Sequence, residues 1–221
     1  MITVAIGDIH GMQDHLARLL REISAYAESQ GWKESPRLVF LGDYVDRGPA
    51  SRQVVGLLRH LQGHGAICLR GNHEEMMARS CNGDWEMAQF LANGGDATIA
   101  SYDDAIDAFV GDRRWLAALP TSYEDDLRIF VHAGLMPSRP LAEQDDHAKL
   151  WIRDKFLNYG GAFEKYVVHG HTPVQYRGLE PRPEITHNRC DLDTGACYGG
   201  TLSAAFFNEQ EAKPFHTISV G

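Results

Sequence analysis

The sequence lacks a long apolar run, a cysteine motif and an excess of positive charge. No stretch approaches the roughly 18–20 apolar residues that span a membrane, so we expect no membrane-crossing segment. The four cysteines form no C-x-x-C pair, which favours reduced thiols over a disulfide or a zinc site. Acidic residues outnumber lysine and arginine by 30 to 21, for a net charge of −9, which argues against nucleic acid as a partner.

The size and composition of the chain are those of one globular domain. It has 221 residues, of which 43% are hydrophobic, and no internal repeat or low-complexity tract. We therefore predict a single domain over residues 1–221. The N-terminus enters a β-type segment directly, which predicts a cytoplasmic protein without a signal peptide. The oligomeric state is out of reach of the sequence, and a monomer is our working expectation.

Strand and helix patterns alternate along the first third of the chain. Three β-rich, apolar segments are separated by two segments with apolar residues at helical spacing. The strands are predicted at residues 3–7, 37–41 and 66–69, and the helices at residues 14–30 and 51–62. This βαβαβ rhythm predicts a mainly parallel sheet covered by helices, and so an α/β fold.

The rest of the chain begins with a mostly helical excursion over residues 74–118. Asn93-Gly94-Gly95 interrupts it. Pro- and Gly-rich segments predict loops at residues 136–140 and 178–186, and residues 124–126 are expected to form a solvated turn. Further strands are predicted at residues 127–131, 166–168, 190–192, 201–207 and 215–220.

Metal-binding residue types follow five of the predicted strands. They are Asp8, Asp43, Asn72, His132 and His171. Sites in parallel α/β sheets form beyond the carboxyl ends of the strands, so we expect these side chains to converge. Mixed Asp, His and Asn ligation favours divalent ions such as Mn, Fe or Zn.

Two such ions can share one bridging carboxylate and activate a water between them. The hydroxide so formed can attack a phosphorus atom in line. A histidine held by an aspartate can protonate the departing alkoxide. The planar guanidinium of arginine suits the phosphoryl oxygens. The sequence therefore predicts a dinuclear centre for phosphoester hydrolysis.

The motifs around these residues resemble those of a known family. They are Asp8-Ile9-His10, Gly42-Asp43-Tyr44-Val45-Asp46-Arg47-Gly48, Gly71-Asn72-His73-Glu74, His132-Ala133-Gly134 and Gly170-His171-Thr172. The set resembles the phosphoprotein phosphatase branch of the calcineurin-like metallophosphoesterases. Three further strings resemble the compact phage-lambda-type bacterial serine/threonine phosphatases: Leu91-Ala92-Asn93-Gly94-Gly95, Leu150-Trp151-Ile152-Arg153 and Asp193-Thr194-Gly195-Ala196. The implied fold is a pair of central sheets flanked by helices.

The resemblance implies a role for each matching residue. Asp8, His10 and Asp43 would bind the first ion, and Asp43 would bridge to a second ion on Asn72, His132 and His171. His73 would be the general acid, oriented by Asp46, while Asn72 would also border the substrate. Arg47 and Arg153 would grip the phosphate, with Arg70 as a further candidate. Manganese is the favoured metal, with iron, zinc or magnesium as alternatives.

Four other patterns have simpler interpretations. His73-Glu74-Glu75-Met76-Met77 begins like a zinc-protease motif, but Met77 stands where the second histidine is required. Asp193-Thr194-Gly195 occurs once, whereas aspartic proteases need two copies, so it is interpreted as a turn near the site. His169 is expected to support a ligand without binding the metal. Three aromatic residues of the helical excursion are expected to pack in the core: Trp85, Phe90 and Trp115.

Three functions remain open at this stage. The first is hydrolysis of phosphoserine and phosphothreonine in proteins. The second is symmetrical hydrolysis of diadenosine tetraphosphate, because the resemblance extends to those hydrolases. The third is a phosphate-binding module without turnover, which the complete set of motif residues argues against.

Overall fold

The computed structural model describes residues 1–221 as two five-stranded sheets with helices on both outer faces. The first sheet has the order β10-β9-β1-β2-β3 and the second the order β4-β5-β6-β8-β7. The strands are β1 Thr3–Ile6, β2 Arg37–Phe40, β3 Ile67–Cys68, β4 Ser122–Glu124, β5 Arg128–Val131, β6 Tyr166–His169, β7 Glu184–Ile185, β8 Arg189–Asp191, β9 Leu202–Phe207 and β10 His216–Val220.

Eight α-helices accompany the strands. They are α1 Gln13–Ser29, α2 Ser51–Gly63, α3 Asn72–Arg79, α4 Asp84–Phe90, α5 Asp96–Tyr102, α6 Ile106–Ala117, α7 Asp146–Trp151 and α8 Asp154–Leu157. A kinked turn, Leu91–Gly95, joins α4 to α5, and Gly94 within it has non-helical backbone angles. No helix is long and apolar enough to cross a membrane.

Each sheet is mixed, with three neighbouring parallel strands and two strands joined by antiparallel pairing, so the prediction of a mainly parallel sheet is wrong for part of each sheet. β1 pairs in parallel with β2, and β2 with β3, but β9 and β10 join antiparallel. In the second sheet β5, β6 and β8 are parallel, while β4 and β7 are antiparallel edge strands. Glu124 ends β4, so the turn predicted at residues 124–126 begins inside a strand, and β7 lies within the loop predicted at residues 178–186.

The core is divided between the layers by the alternation of side chains along each strand. In β1, Val4 and Ile6 pack against the helices, whereas Ala5 faces the other sheet. In β9, Phe206 faces the helices and Phe207 faces the other sheet. All four residues of β1 are buried, as expected for a strand covered on both faces.

The helices form where the apolar spacing predicted them. α1 buries Leu16, Leu19 and Ile23 at spacings of three and four residues, and α2 buries Val54 and Leu58 in the same way. α7 was not predicted. It begins at the N-cap residue Asp145, whose carboxylate accepts a hydrogen bond from the Ala148 amide at 2.8 Å. The four cysteines are free.

Candidate active site

Five loops that follow parallel strands converge at one edge of the molecule. Asp8 follows β1, Asp43 follows β2 and Asn72 follows β3 in the first sheet. His132 follows β5 and His171 follows β6 in the second sheet. Each of these five side chains is at most 4% exposed. The predicted convergence of metal-type residues from separate strands is therefore confirmed, and the two sheets contribute to it jointly.

Asp43 occupies the centre of the cluster. Its Oδ2 atom lies 3.5 Å from His10 Nε2 and 3.8 Å from His73 Nε2, and its Oδ1 atom lies 3.3 Å from His132 Nε2. Two groups of three residues could each hold a metal ion, because the ligand atoms within each group lie within 4.8 Å of one another. Asp43 belongs to both groups. The groups are His10, Asp43, His73 and Asp43, His132, His171. A carboxylate shared by two groups has the position required of a bridging ligand.

Hydrogen bonds to backbone carbonyls fix two of the imidazoles. His10 Nδ1 lies 2.8 Å from the Val45 carbonyl, and His132 Nδ1 lies 3.0 Å from the Leu41 carbonyl. A carbonyl only accepts, so each Nδ1 carries the hydrogen. The Nε2 atoms of both rings are thereby directed at Asp43, which is the arrangement seen when the outer nitrogen of a metal-binding histidine is held by the protein.

Acceptor atoms crowd together in the second group. Asn72 Oδ1 and His171 Nδ1 lie 2.8 Å and 3.2 Å from His132 Nε2, and 2.9 Å from each other. Burial would lower the pKa of His132, but the charge of Asp43 and their hydrogen bond raise it. Positive charge is therefore favoured at this point of the cluster. The oxygen and nitrogen atoms gathered there are of the types that bind a divalent cation, so the residues fit a metal.

Asp8 completes the other side of the cluster. Its Oδ2 atom accepts a hydrogen bond from the His171 amide at 3.0 Å, while its buried Oδ1 atom has no partner. Burial raises the pKa of Asp8 well above its ordinary value, and the charges of Asp193 and Asp43 add to this effect. A buried carboxylate oxygen without a donor, next to two further carboxylates, also fits a cation-binding site.

Five residues of the site hold the backbone in the left-handed region that favours glycine. They are His10, Asp43, Asp46, Arg47 and His171, with φ between +45° and +72°. Two other non-glycine residues in the chain share this conformation. Each such residue costs on the order of 1–3 kcal/mol and persists only where the surroundings enforce it. This clustering of strained residues supports a functional role for the loops.

His73 lies beside the metal-binding residues and pairs with Asp46. Its Nδ1 atom lies 2.7 Å from Asp46 Oδ2, and its Nε2 atom faces Asp43. Burial lowers the pKa of His73 to about 4 and raises that of Asp46, because both charged forms are desolvated. A phosphate dianion near the pair would favour the imidazolium. The predicted pairing of His73 with Asp46 is confirmed, and its acid role stays a prediction.

The three arginines differ in their surroundings. The Arg47 guanidinium donates to His10 Nε2. The central carbon of that guanidinium lies 5.3 Å from the centroid of the Tyr198 ring, over its face. Arg153 is exposed, and its charge adds to burial in lowering the pKa values of His73 and His171, so it lies within electrostatic reach of both. Arg70 instead donates to the Ala117 carbonyl at 2.9 Å and lies 3.7 Å from Asp146. No contact links Arg70 to the cluster.

Glu74 is a residue whose role the sequence did not reveal. The carboxylate is fully buried, and it accepts hydrogen bonds from the amides of Asp43, Tyr44 and Gly71 at 2.7–2.8 Å. Burial raises its pKa to about 7. It therefore ties the loop that carries Asp43 to the start of α3. Its place next to His73 within the motif was the signal available in the sequence.

Thr98 and Ser51 were also missed. Thr98 Oγ1 donates to Asp46 Oδ1 at 2.7 Å and accepts from the Asp46 amide at 2.8 Å. The Ser51 hydroxyl lies 3.0 Å from Thr98 Oγ1 and accepts from the same amide at 3.1 Å. These hydroxyls fix the carboxylate that pairs with His73. No local pattern marks them, since Thr98 is 52 residues from Asp46.

The remaining residues differ in how the structure places them, and the expected support of a metal ligand by His169 stays a prediction. His169 is buried outside both groups of ligand atoms, with its ring edge against Phe156. Asp193 lies in a turn after β8 and adds charge next to Asp8. Phe90 is buried and Trp115 half-buried in the core, but Trp85 is 66% exposed. The expectation that Trp85 packs in the core is wrong, because α4 turns that side chain away from the core.

Comparisons with known proteins agree with this geometry. The family model described as calcineurin-like phosphoesterase matches residues 1–199. Serine/threonine-protein phosphatase 1 of Salmonella typhimurium is 30% identical, and the match covers 90% of this chain and 89% of that protein. The asymmetrical bis(5'-nucleosyl)-tetraphosphatase PrpE of Halalkalibacterium halodurans is 27% identical, over 93% of this chain and 90% of that protein.

A solved structure provisionally assigned as a diadenosine tetraphosphatase superposes with a TM-score of 0.69 and 26% identity. The superposition covers 99% of this chain and 92% of the other. Two sheets flanked by helices, a convergent set of metal-type residues and a family match over nine-tenths of the sequence all lead to one assignment. The chain belongs to the calcineurin-like phosphoesterase family.

Proposed function

We propose that the chain hydrolyses phosphoesters at a dinuclear centre with the ligands expected from its motifs. Asp8, His10 and Asp43 would hold one ion, and Asp43, Asn72, His132 and His171 the other. The observation that carries the proposal is the buried cluster of carboxylate, imidazole and amide groups around Asp43 and His132, because these groups together are of the kind that bind divalent ions. Manganese is the metal we propose, since oxygen and imidazole ligands together suit it.

Bound divalent ions supply Lewis-acid activation of water and of the phosphoryl oxygens. The chain supplies the rest of the chemistry. His73 donates a proton from Nε2 to the departing oxygen, and Asp46 at 2.7 Å stabilises the imidazolium that must form first. Arg47 and Arg153 bind the non-bridging oxygens of the phosphate, which positions phosphorus over the cluster.

The first candidate substrate is a phosphoserine or phosphothreonine in a protein. This was the leading expectation from the sequence. It is supported by the 30% identity to the Salmonella serine/threonine phosphatase, a relative of nearly the same length. An exposed Arg153 beside a buried cluster suits a phosphate that projects from a larger molecule.

The second candidate substrate is a dinucleoside polyphosphate. Several PrpE proteins match over more than nine-tenths of this chain at 26–28% identity, and the structural neighbour with a TM-score of 0.69 points the same way. These relatives are named for asymmetrical hydrolysis, so we replace the symmetrical cleavage expected from the sequence with asymmetrical cleavage. That reaction consumes one water and converts diadenosine tetraphosphate to ATP and AMP.

A substrate panel tests the proposal. The protein is stripped with chelator, reloaded with Mn²⁺, and assayed on p-nitrophenyl phosphate, a phosphoserine peptide and diadenosine tetraphosphate. Asp43→Asn should lower all activities by at least about a hundredfold, because it removes the shared ligand. The same change at the exposed Asp14 is the matched control. Full activity of Asp43→Asn would overturn the proposed centre.

The same panel separates the two substrates. A preference of about a hundredfold or more in kcat/KM for the phosphopeptide selects the first candidate, and the reverse selects the second. Separation of the nucleotide products distinguishes ATP plus AMP from two molecules of ADP. Two molecules of ADP would contradict asymmetrical cleavage.

A further inference from the structure

A cavity next to the second group of ligands has no part in the chemistry described above. It lies between α3, α4 and α7 and has a volume of about 220 Å³. Its walls are formed by Glu75, Met76, Arg79, Trp85, Gln89, His147 and Trp151. Two indoles and an imidazole in one small cavity are an unusual concentration of flat aromatic rings.

The Trp151 ring is fixed by a hydrogen bond, and the exposed His147 ring lies nearly parallel to it. The Trp151 indole donates from Nε1 to Glu75 Oε2 at 2.7 Å, and the His147 ring is stacked near it with 24° between the ring planes and 6.5 Å between centroids. Trp85 is free to rotate toward them, because it is 66% exposed on α4. A flat ligand can therefore enter against a rigid wall and be covered by the second indole.

The cavity is joined to the catalytic cluster through the helices that form it. α3 begins with Asn72 and His73, and Met76 lines the cavity about one helical turn, or roughly 5.4 Å, further along. On the other wall the Trp151 ring lies edge-on to the His171 ring at 6.4 Å between centroids. Arg153 follows Trp151 by two residues. The cavity and the cluster are therefore neighbours, linked by α3 on one wall and by Trp151 on the other.

The polar groups at the cavity also suit a base. The Gln89 side chain carries an amide with both donor and acceptor atoms, which matches the mixed edge of a purine. Arg79 adds a positive charge on the last turn of α3, and Arg153 adds another near the cluster. The Glu75 carboxylate also lines the cavity and offsets the charge of Arg79, so the cavity itself suits a neutral base, while Arg153 favours the phosphate toward the cluster.

We propose that this cavity binds the nucleobase of a nucleotide substrate, with the base between Trp85 and Trp151 and the adjoining phosphate at the metal-binding cluster. The proposal rests on the proposed phosphoesterase function and names the substrate class of the same site. It makes Trp85 a specificity-determining residue that does not touch the reacting atoms.

Trp85→Ala tests the proposal by comparing substrates that share the chemistry and differ in the base. We expect kcat/KM for diadenosine tetraphosphate to fall about tenfold or more, the loss typical of removing one base stack, while p-nitrophenyl phosphate hydrolysis changes less than about twofold. Trp85→Phe should recover most of the loss. Ile106→Ala, which removes an exposed side chain from α6, is the control for surface truncation and should change neither activity.

A second measurement needs neither metal nor turnover. Adenosine, which has a base but no phosphate, should quench part of the tryptophan fluorescence of the chelator-treated protein at millimolar concentration. Trp85→Ala should abolish the quenching. Ribose 5-phosphate should cause none.

The outcomes separate this proposal from the function on which it rests. If the wild-type protein fails to hydrolyse p-nitrophenyl phosphate, the proposed function fails, whereas adenosine quenching still reports on the cavity. If Trp85→Ala leaves dinucleotide hydrolysis and quenching unchanged, the base does not bind here. The proposal is equally overturned if Tyr176→Ala alone weakens dinucleotide hydrolysis, since that would place the base on the exposed Tyr176–Tyr198 pair beside Arg47. A loss confined to phosphopeptides would assign the cavity to an aromatic side chain of a protein substrate.

Discussion

His73 and Asp46 are the residues on which the chemistry of the departing group depends. Each is nearly or fully buried, and the 2.7 Å contact between them leaves His73 Nε2 as the atom directed toward the cluster. A proton delivered from that atom matters in proportion to the basicity of the departing oxygen. The two substrates p-nitrophenyl phosphate and an alkyl phosphate differ strongly in that respect.

His73→Asn should therefore reduce hydrolysis of a phosphoserine peptide by about 10²–10⁴-fold and that of p-nitrophenyl phosphate far less. Steady-state kinetics with Mn²⁺ on both substrates measure the difference. His15→Asn, on the half-buried face of α1, serves as the control and should behave as wild type. Equal losses on the two substrates would remove His73 from the acid role.

Thr98→Val should weaken the same proton transfer indirectly. The change removes the hydroxyl that donates to Asp46 Oδ1 and accepts from the Asp46 amide, while keeping the volume of the side chain. We expect kcat for the phosphoserine peptide to fall by about 10–100-fold, with p-nitrophenyl phosphate much less affected. Thr98→Ser, which keeps the hydroxyl, should retain most activity. A serine variant as impaired as the valine variant would contradict this positioning role.

At the scale of single residues, the sequence predicted the metal-binding residues better than the residues that hold the site in place through hydrogen bonds. Asp8, Asp43 and His132 stand directly after β-type segments, so their positions follow from where strands end. Glu74 accepts from amides 30 and 31 residues away, and Thr98 contacts Asp46 across 52 residues. No spacing in the sequence encodes such contacts. Arg70 is the opposite case, a residue that the sequence placed at the site and the structure does not. It precedes the motif that contains Asn72, but its guanidinium binds the carbonyl at the end of α6.

Among the elements, the kinked turn Leu91–Gly95 has the most direct effect on the site. The Gly94 carbonyl accepts a hydrogen bond from the Arg47 amide at 3.0 Å, and Gly94 has a φ of +95°. A Cβ atom at Gly94 would lie 2.9 Å from both the amide nitrogen and Cγ of Arg47. The glycine that interrupts the helical excursion therefore contacts the backbone and side chain of Arg47 and helps to position them.

Gly94→Ala should displace Arg47 and weaken phosphate binding. We expect KM for p-nitrophenyl phosphate and the inhibition constant for inorganic phosphate to rise together, along with a loss of stability of about 1 kcal/mol or more from the positive φ. Gly111→Ala is a matched control, because this helical glycine of α6 has open space around its Cβ position. That variant should be neutral or slightly stabilised. Unchanged phosphate inhibition in Gly94→Ala would refute the link to Arg47.

The elements missed from the sequence are short and lie at the edges of the fold. β7 has two residues, and α7 and α8 have six and four, so their patterns are too brief to show a period. The antiparallel strand pairs were missed for another reason. The order of strands within a sheet depends on long-range packing, whereas the βαβαβ pattern predicts only how strands that are neighbours along the chain pair with each other.

In the molecule as a whole, the cluster of ligands joins the two sheets. Asp8, Asp43 and Asn72 come from the first sheet, while His132 and His171 come from the second. A cation bound at the cluster would contact ligand atoms from both sheets. Metal binding should therefore stabilise the packing of one sheet on the other.

Removal of metal should lower the Tm. With Mn²⁺ at about 100 times its Kd, we expect a Tm about 5–10 °C above that of the chelated protein. Differential scanning fluorimetry in Mn²⁺ and in chelator measures the shift, which should shrink toward acid pH because protons compete for the same ligands. Asp43→Asn should lose most of the shift. Identical Tm values for the wild-type protein in both buffers would argue against metal as a link between the sheets.

The left-handed backbone at the site has a consequence for any directed evolution of this protein. Substitution of glycine for a strained residue such as Arg47 relieves backbone strain and at the same time removes a side chain that the chemistry needs. A library screened only for heat resistance will then enrich inactive variants at these positions. Selection for stability has to be coupled to an activity screen, since in these loops the two properties oppose each other.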